Sequence, residues 1–150
     1  MRDSLFNDQR DATVLIARLL LTILFVMSGW GKVTHFAATV AYMGSQGAPL
    51  PSAAAAVAVC MELVVSIALL VGLFTRPLSL LFALFVAGTA VIGHHYWTMT
   101  DPERSANMIQ FYKNMSILGG FLLLSVTGPG KYSLDRKWDR THITLRSECA

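Results

Sequence analysis

The chain contains four apolar runs separated by short polar segments or by segments with glycine and proline. The runs are residues 12–33, 53–74, 78–97 and roughly 109–128. A helix rises ~1.5 Å per residue, so each run is long enough to cross the ~30 Å hydrocarbon layer of a bilayer. A helix buried in a soluble protein is rarely apolar on all faces over such a length. The pattern therefore predicts four transmembrane helices.

The few polar residues within these runs recur at helical spacing. Arg18, Thr22 and Lys32 share one face of the first run, and Glu62 and Ser66 share one face of the second. Small residues on the same faces favour close helix packing in a membrane. The chain is thus expected to be all-α, an antiparallel four-helix membrane bundle with a polar interior.

The bundle is expected to form a single domain over residues 1–135, followed by a polar tail over 136–150. Residues 34–52 are expected to form a loop on one side of the membrane, and residues 75–77 a tight turn on the other. The chain from Lys131 onward is expected to be loosely ordered. The first run is expected to be retained, because its leading segment is mixed in charge and unlike a signal peptide.

The basic residues outside the span centres are unevenly distributed between the two sides of this topology. Three lie on one side: Lys32, Arg104 and Lys113. Eight lie on the other: Arg2, Arg10, Arg76, Lys131, Arg136, Lys137, Arg140 and Arg146. The positive-inside rule then places both termini in the cytoplasm.

Ionisable side chains within the apolar runs are the candidates for function, because a charge at mid-bilayer normally faces protein or water. Glu62 lies near the centre of its run, and Arg18 lies about four residues, or ~6 Å, to the inner side of its own centre. An Arg18–Glu62 ion pair is therefore predicted. Lys32, His94, Lys113 and Asn114 are expected to form a second polar group that opens toward the outer face. Three interpretations stay open. These groups fix the register of the helices, they bind a small molecule or move protons, or some of them, above all Lys32 and Lys113, are solvated or extend to the membrane surface.

Composition narrows the class of protein. Of the 150 residues, 54% are hydrophobic and only 14% charged, well below the quarter that is typical of soluble domains. The net charge of +3 is too small to indicate a nucleic-acid partner. The two cysteines, Cys60 and Cys149, form neither a disulfide framework nor a zinc motif. The histidines lack matching ligands, so no metal site is expected, and no nucleophilic triad or nucleotide-binding motif is present.

Several segments in order resemble the DoxX family of small four-helix membrane proteins. They are ARLLLTILFVMSGWGK, CMELVVSIALLVGLFTRP with Glu62, the histidine that ends the third run, KNMSILGGFLLL, and GPGKYSLD. The resemblance spans roughly residues 14–135. It implies a membrane bundle with a polar pocket. The family name is associated with the membrane subunit of a thiosulfate:quinone oxidoreductase. Other members are associated with quinones or with resistance to oxidative stress. Distant relatives in animal cells act as cargo receptors or as assembly chaperones for membrane proteins.

These observations lead to a first hypothesis, a quinone-interacting subunit of an oxidoreductase or oxidative-stress system in the bacterial inner membrane. Glu62, His94 and Lys113 are the candidate catalytic residues, and Arg18, Lys32 and Asn114 the candidate binding residues. No tightly bound cofactor is expected beyond a quinone, and the expected partners are the lipid bilayer and a redox protein or a second copy. The alternatives are a non-catalytic scaffold or assembly protein and, less favoured, a transporter of a small solute.

Overall fold

The structure, a computed structural model, describes residues 9–138, and within that part of the chain every regular element is helical. The elements are α1 (Arg10–Thr34), α2 (Phe36–Ser45), α3 (Pro51–Val59), a π-helical segment (Cys60–Val65), α4 (Ser66–Val71), α5 (Thr75–Gly93), a 3₁₀ turn (Tyr96–Thr98) and α6 (Glu103–Thr127). The all-α prediction is confirmed for these residues.

Three of the described helical stretches are long and apolar enough to cross a membrane. They are Arg10–Thr34, Pro51–Val71, which joins α3, the π-helical segment and α4, and Thr75–Thr98. The fourth apolar run lies within α6, which is 25 residues long and begins six residues before the predicted start at 109. Its first turns carry charged and amide side chains, which lower its overall apolar character.

The second and third runs meet at a turn that differs from the predicted one. Gly72 adopts a left-handed conformation with φ of 74°, and the amide of Leu73 donates to the carbonyl of Ala68 over 2.9 Å. This arrangement closes the end of α4 three residues before the predicted boundary at 74. Residues 75–77, which were expected to form the turn, instead make the first turn of α5. Most of the expected loop over 34–52 is also helical, as α2.

Aromatic side chains join three of the helices at the centre of the fold. Phe82 of α5 lies 4.8 Å from Phe25 of α1 and 4.7 Å from Phe121 of α6, measured between ring centroids. Phe82 and Phe121 are fully buried. Such tilted and edge-on ring pairs stabilise a core beyond the area they bury. Helices α1, α5 and α6 are therefore held together at this level.

The outer faces of the helices are strongly apolar. Large side chains there remain more than 60% exposed within the chain, among them Leu20, Met27, Leu84, Leu123 and Val126. Exposed apolar surface on this scale is not tolerated in water, but it matches hydrocarbon. These faces contact the lipid bilayer, whereas Arg18, Thr22 and Glu62 are buried between the helices.

Candidate functional site

Glu62 lies in an irregular part of its helix. It belongs to the π-helical segment Cys60–Val65, where the helix is wider than an α-helix. The residue is buried, with 7% of its surface exposed. Single π-helical turns inside α-helices are rare and occur frequently at functional sites. The segment contains neither glycine nor proline, so the sequence offered no sign of this irregularity.

The partner of Glu62 is Lys32. The ammonium of Lys32 lies 2.6 Å from Oε2 of Glu62 and also donates to the hydroxyl of Ser28, at 2.7 Å. The side chain of Glu62 is 9% exposed and that of Lys32 is 23% exposed. The ion pair is thus mostly desolvated, with the lysine on the more accessible side. Ser28 precedes Lys32 by one helical turn, and this spacing is the signal that could have identified it.

A close contact between two backbones brings this pair together. A Cβ added to Gly29 would lie 2.8 Å from the carbonyl carbon of Glu62 and 2.8 Å from the nitrogen of Leu63. Only glycine allows α1 to approach the π-helical segment so closely. Because Lys32 follows Gly29 by three residues on the same face of α1, its side chain reaches Glu62.

The predicted Arg18–Glu62 pair is wrong. The guanidinium of Arg18 donates instead to the carbonyl of Pro129 at 2.8 Å and to that of Tyr132 at 2.6 Å. The physical reason is the register between the helices. Gly29 faces Glu62, and Arg18 lies 11 residues away along α1, a distance of about 16 Å. Arg18 therefore belongs to the end of the fold at which α1 begins.

The carbonyl partners of Arg18 come from a segment that folds back over that end. We call residues 128–138 the C-terminal strap. Arg18 is 1% exposed beneath it, and Ser133 of the strap is also buried. The lack of a side chain at Gly72 leaves space for Arg18 and Ser133, because a Cβ there would lie 2.5 Å from the Arg18 guanidinium and 2.5 Å from Ser133.

The strap is also attached to α5. The carboxylate of Asp135 accepts hydrogen bonds from the backbone amides of Phe74 and Thr75, at 2.7 and 2.9 Å. The amide of Asp135 in turn donates to the carbonyl of Gly72. The expectation of a loosely ordered chain from Lys131 onward is therefore wrong as far as residue 138. The rest of the expected tail, 139–150, lies outside the described residues.

The predicted outer polar group is divided in the structure. Lys32 joins Glu62, whereas Nδ1 of His94 lies 3.1 Å from Oδ1 of Asn107. Lys113 is exposed and Asn114 half-buried, and neither makes a recorded hydrogen bond or ion pair within residues 9–138. Sequence reasoning missed Asn107, whose polar side chain lies just ahead of the fourth apolar run.

The geometry of the Lys32–Glu62 pair allows hydrogen bonding and proton exchange. An ammonium beside a carboxylate supplies a donor and an acceptor within one small volume, and the partial exposure of Lys32 leaves it within reach of a ligand. In the part of the chain that the structure describes, no group of three His, Cys, Asp or Glu side chains is placed to hold a metal ion.

Comparison with known proteins identifies close relatives. The chain is 51% identical to the inner membrane protein YphA of Escherichia coli over 132 residues, which cover 88% of the chain and 94% of that protein. It is 41% identical to the inner membrane protein YqjF of the same organism, over 85% of the chain and 96% of that protein. A match at 30% identity to the yeast ER-derived vesicles protein ERV29 covers 53% of the chain and 26% of that protein. No solved structure gives a significant match.

The relatives agree with the apolar helices. Two proteins that match the chain over most of their length are inner membrane proteins, and three described stretches are long and apolar enough to span. The chain is therefore a multi-pass inner membrane protein, as the sequence predicted. The family model described as DoxX matches residues 13–95, more than half of the chain. The chain is a member of the DoxX family, and the resemblance noted from its sequence is confirmed.

Proposed function

We propose that this DoxX-family protein is a quinone-interacting membrane subunit whose site is the Lys32–Glu62 pair. The observation that carries the proposal is this desolvated ion pair on a π-helical segment, with its lysine side chain partly accessible. A buried ion pair stabilises a fold no better than apolar side chains of similar volume. Its presence in an otherwise apolar interior therefore supports a role in binding or proton transfer rather than in stability alone.

A quinone suits this site by its chemistry. Its ring is apolar and reaches a membrane protein from the lipid, and its carbonyl oxygens accept hydrogen bonds. In the proposal, the Lys32 ammonium donates to one ring oxygen, and Glu62 holds the lysine in place. The proposal involves Lys32 and Glu62 alone, because no hydrogen bond or ion pair joins either of them to His94 or Lys113.

Reduction of a quinone to the quinol takes up two electrons and two protons. We propose that a partner redox protein supplies the two electrons. Lys32 passes one proton to the ring oxygen beside it and is reprotonated by water by way of Glu62. The second ring oxygen takes its proton from water.

The topology that goes with this function is four spans, with α6 as the fourth, arranged as an antiparallel bundle with both termini in the cytoplasm. Two observations support α6 as the fourth span. Its 25 residues suffice to cross a bilayer, and it contributes Phe121 to the aromatic core. The basic residues at the inner end support the same orientation.

The test separates a ligand site from a structural ion pair. Lys32→Met leaves the buried carboxylate of Glu62 without its partner, and Glu62→Gln leaves the partly exposed ammonium of Lys32 without its partner. We expect both to lower the thermal unfolding midpoint in detergent, Lys32→Met more strongly. The double substitution Lys32→Met with Glu62→Met removes both charges and should recover most of that stability. Binding of a short-chain quinone to purified protein, followed by titration, should be weakened at least tenfold in all three.

Lys131→Met is the matched control, because Lys131 is also paired with a carboxylate, that of Asp11, at the opposite end of the fold. We expect it to bind the quinone as the unchanged protein does. If the stable double variant keeps full quinone affinity, the pair only sets helix register. The proposal then fails, and a scaffold or assembly role becomes the better interpretation.

A further inference from the structure

A second polar region lies at the inner end of the fold, away from the Lys32–Glu62 pair. An open groove of about 640 Å³ lies between the starts of α1 and α5, the end of α6 and the C-terminal strap. Its charged lining residues are four basic and two acidic: Arg10, Arg76, Lys131, Arg136, Asp11 and Asp135.

The two carboxylates offset only half of the positive charge of the lining, which leaves a net charge of +2. Both oxygens of Asp135 accept from the amides that begin α5. Asp11 accepts from the amide of Lys131 at 2.8 Å and lies 3.7 Å from its ammonium. Because Lys131 is paired with Asp11, the net positive charge comes from the three arginines, less the one negative charge of Asp135.

The arginines differ in how far they are engaged. Arg76 donates to the carbonyls of Ser125 and Val126 and so closes the end of α6. The guanidiniums of Arg10 and Arg136 make no recorded hydrogen bond or ion pair within residues 9–138. Both are exposed side chains on the wall of the groove. Two arginines thus line the same groove, and their guanidiniums have no side-chain partner within residues 9–138.

The surroundings of the groove indicate its depth in the membrane. It lies where the apolar spans begin, and exposed apolar side chains flank it, including Phe74, Tyr132 and Leu134. Tyrosine at such a position is typical of the membrane–water interface. A ligand in the groove would therefore be at the height of the lipid headgroups, with hydrocarbon beside it.

We propose that this groove binds the phosphate groups of an anionic phospholipid, with Arg10 and Arg136 as the principal ligands. Guanidinium groups bind phosphate oxygens through paired hydrogen bonds, and basic pockets at the ends of membrane helices bind anionic headgroups. The exposed apolar flank receives the acyl chains. This inference is independent of the proposed quinone site, which lies several helical turns away along α1.

The test uses the full chain purified in detergent and titrated with lipid under native mass spectrometry. The probes are cardiolipin, which carries two phosphodiesters, and zwitterionic phosphatidylethanolamine. We expect cardiolipin to bind at least tenfold more tightly than phosphatidylethanolamine. The double substitution Arg10→Gln with Arg136→Gln should weaken cardiolipin binding by about 30-fold, since each interfacial cation contributes to the attraction.

Arg104→Gln is the control, because it removes the same charge from an exposed arginine near the other end of α6. It should leave cardiolipin affinity unchanged. Thermal unfolding in lipid-free detergent should be alike for all variants, since the guanidiniums of Arg10 and Arg136 have no partner within residues 9–138. Equal binding of the two lipids, or equal affinity of the double variant and Arg104→Gln, would overturn the proposal. So would inorganic phosphate binding as tightly as cardiolipin, because the groove would then be a site for a soluble anion.

Discussion

Gly29 shows how one residue without a side chain positions two charges. Its missing Cβ lets α1 contact the backbone of the π-helical segment, and that contact determines which basic residue of α1 lies opposite Glu62. Lys32 is selected, although Arg18 lies on the same helical face. At the scale of a residue, the site therefore depends on a glycine that carries no chemistry of its own.

Gly29→Ala should accordingly separate the two helices. The added methyl group would meet backbone atoms, which cannot move aside as a flexible side chain can. We expect the free energy of unfolding to fall by about 1–3 kcal/mol, the usual range for overpacking. The measurement is thermal or denaturant unfolding in detergent.

Gly31→Ala is the matched control for this substitution. It lies two residues away in the same helix, and a Cβ there would meet nothing within 4 Å. Alanine at that position should raise stability by roughly 0.5–1 kcal/mol, because glycine is a poor helix former. Equal behaviour of the two variants would refute the role assigned to the close contact.

The beginning of α5 is stabilised by a residue about 60 positions later in the chain. The carboxylate of Asp135 accepts from two amides that have no partner within the helix, and a negative charge there favours the helix dipole. The C-terminal strap thereby acts as the cap that the sequence just before α5 does not supply, since Phe74 offers no side-chain acceptor.

Asp135→Asn should weaken this cap. An amide side chain keeps one acceptor oxygen but loses the charge and one of the two hydrogen bonds. We expect the unfolding free energy to decrease by about 1–2 kcal/mol. Asp101→Asn serves as the comparison and should change stability little, because within residues 9–138 the exposed carboxylate of Asp101 accepts only from the hydroxyl of Ser105. A loss of the same size in both variants would argue against the cap.

At the scale of the helices, the buried faces can be predicted from the sequence, but the contacts between helices cannot. Helical periodicity correctly identified the buried face of α1, on which Arg18, Thr22 and Gly29 are all buried. Periodicity did not identify Lys32 as the partner of Glu62. The residues that lie opposite each other depend on how far one helix is shifted along the other, and this shift is determined by the contact at Gly29 and not by the pattern of either helix. The strap was missed for a related reason. Its bonds run through backbone carbonyls and one carboxylate, and these have no periodic signature.

For the whole molecule, the central prediction is the four-span topology. It can be tested with a membrane-impermeant maleimide in cells, since the chain has only two cysteines. One variant keeps Cys149 and carries Cys60→Ala. A second has both cysteines replaced by Ala and carries Ser45→Cys at the end of α2, between the first and second spans.

Four spans with cytoplasmic termini require that Ser45→Cys is labelled in intact spheroplasts and that Cys149 is labelled only after the membrane is opened. Labelling of both positions from the outside would mean an even number of crossings between them, instead of the three that the four-span topology requires. That result would exclude α6 as the fourth span or require another crossing elsewhere.

The attachment of the C-terminal strap to Arg18 has a consequence for biosynthesis. Arg18 lies in the first apolar span to emerge, but its carbonyl partners belong to Pro129 and Tyr132, 111 and 114 residues later. At about 5–20 residues per second, the ribosome reaches them roughly 6 to 22 s after Arg18. Throughout that interval a nascent chain holds an arginine in the membrane without its final ligands. Arg18 can therefore gain these two hydrogen bonds only once the strap has been synthesised, late in the production of the chain.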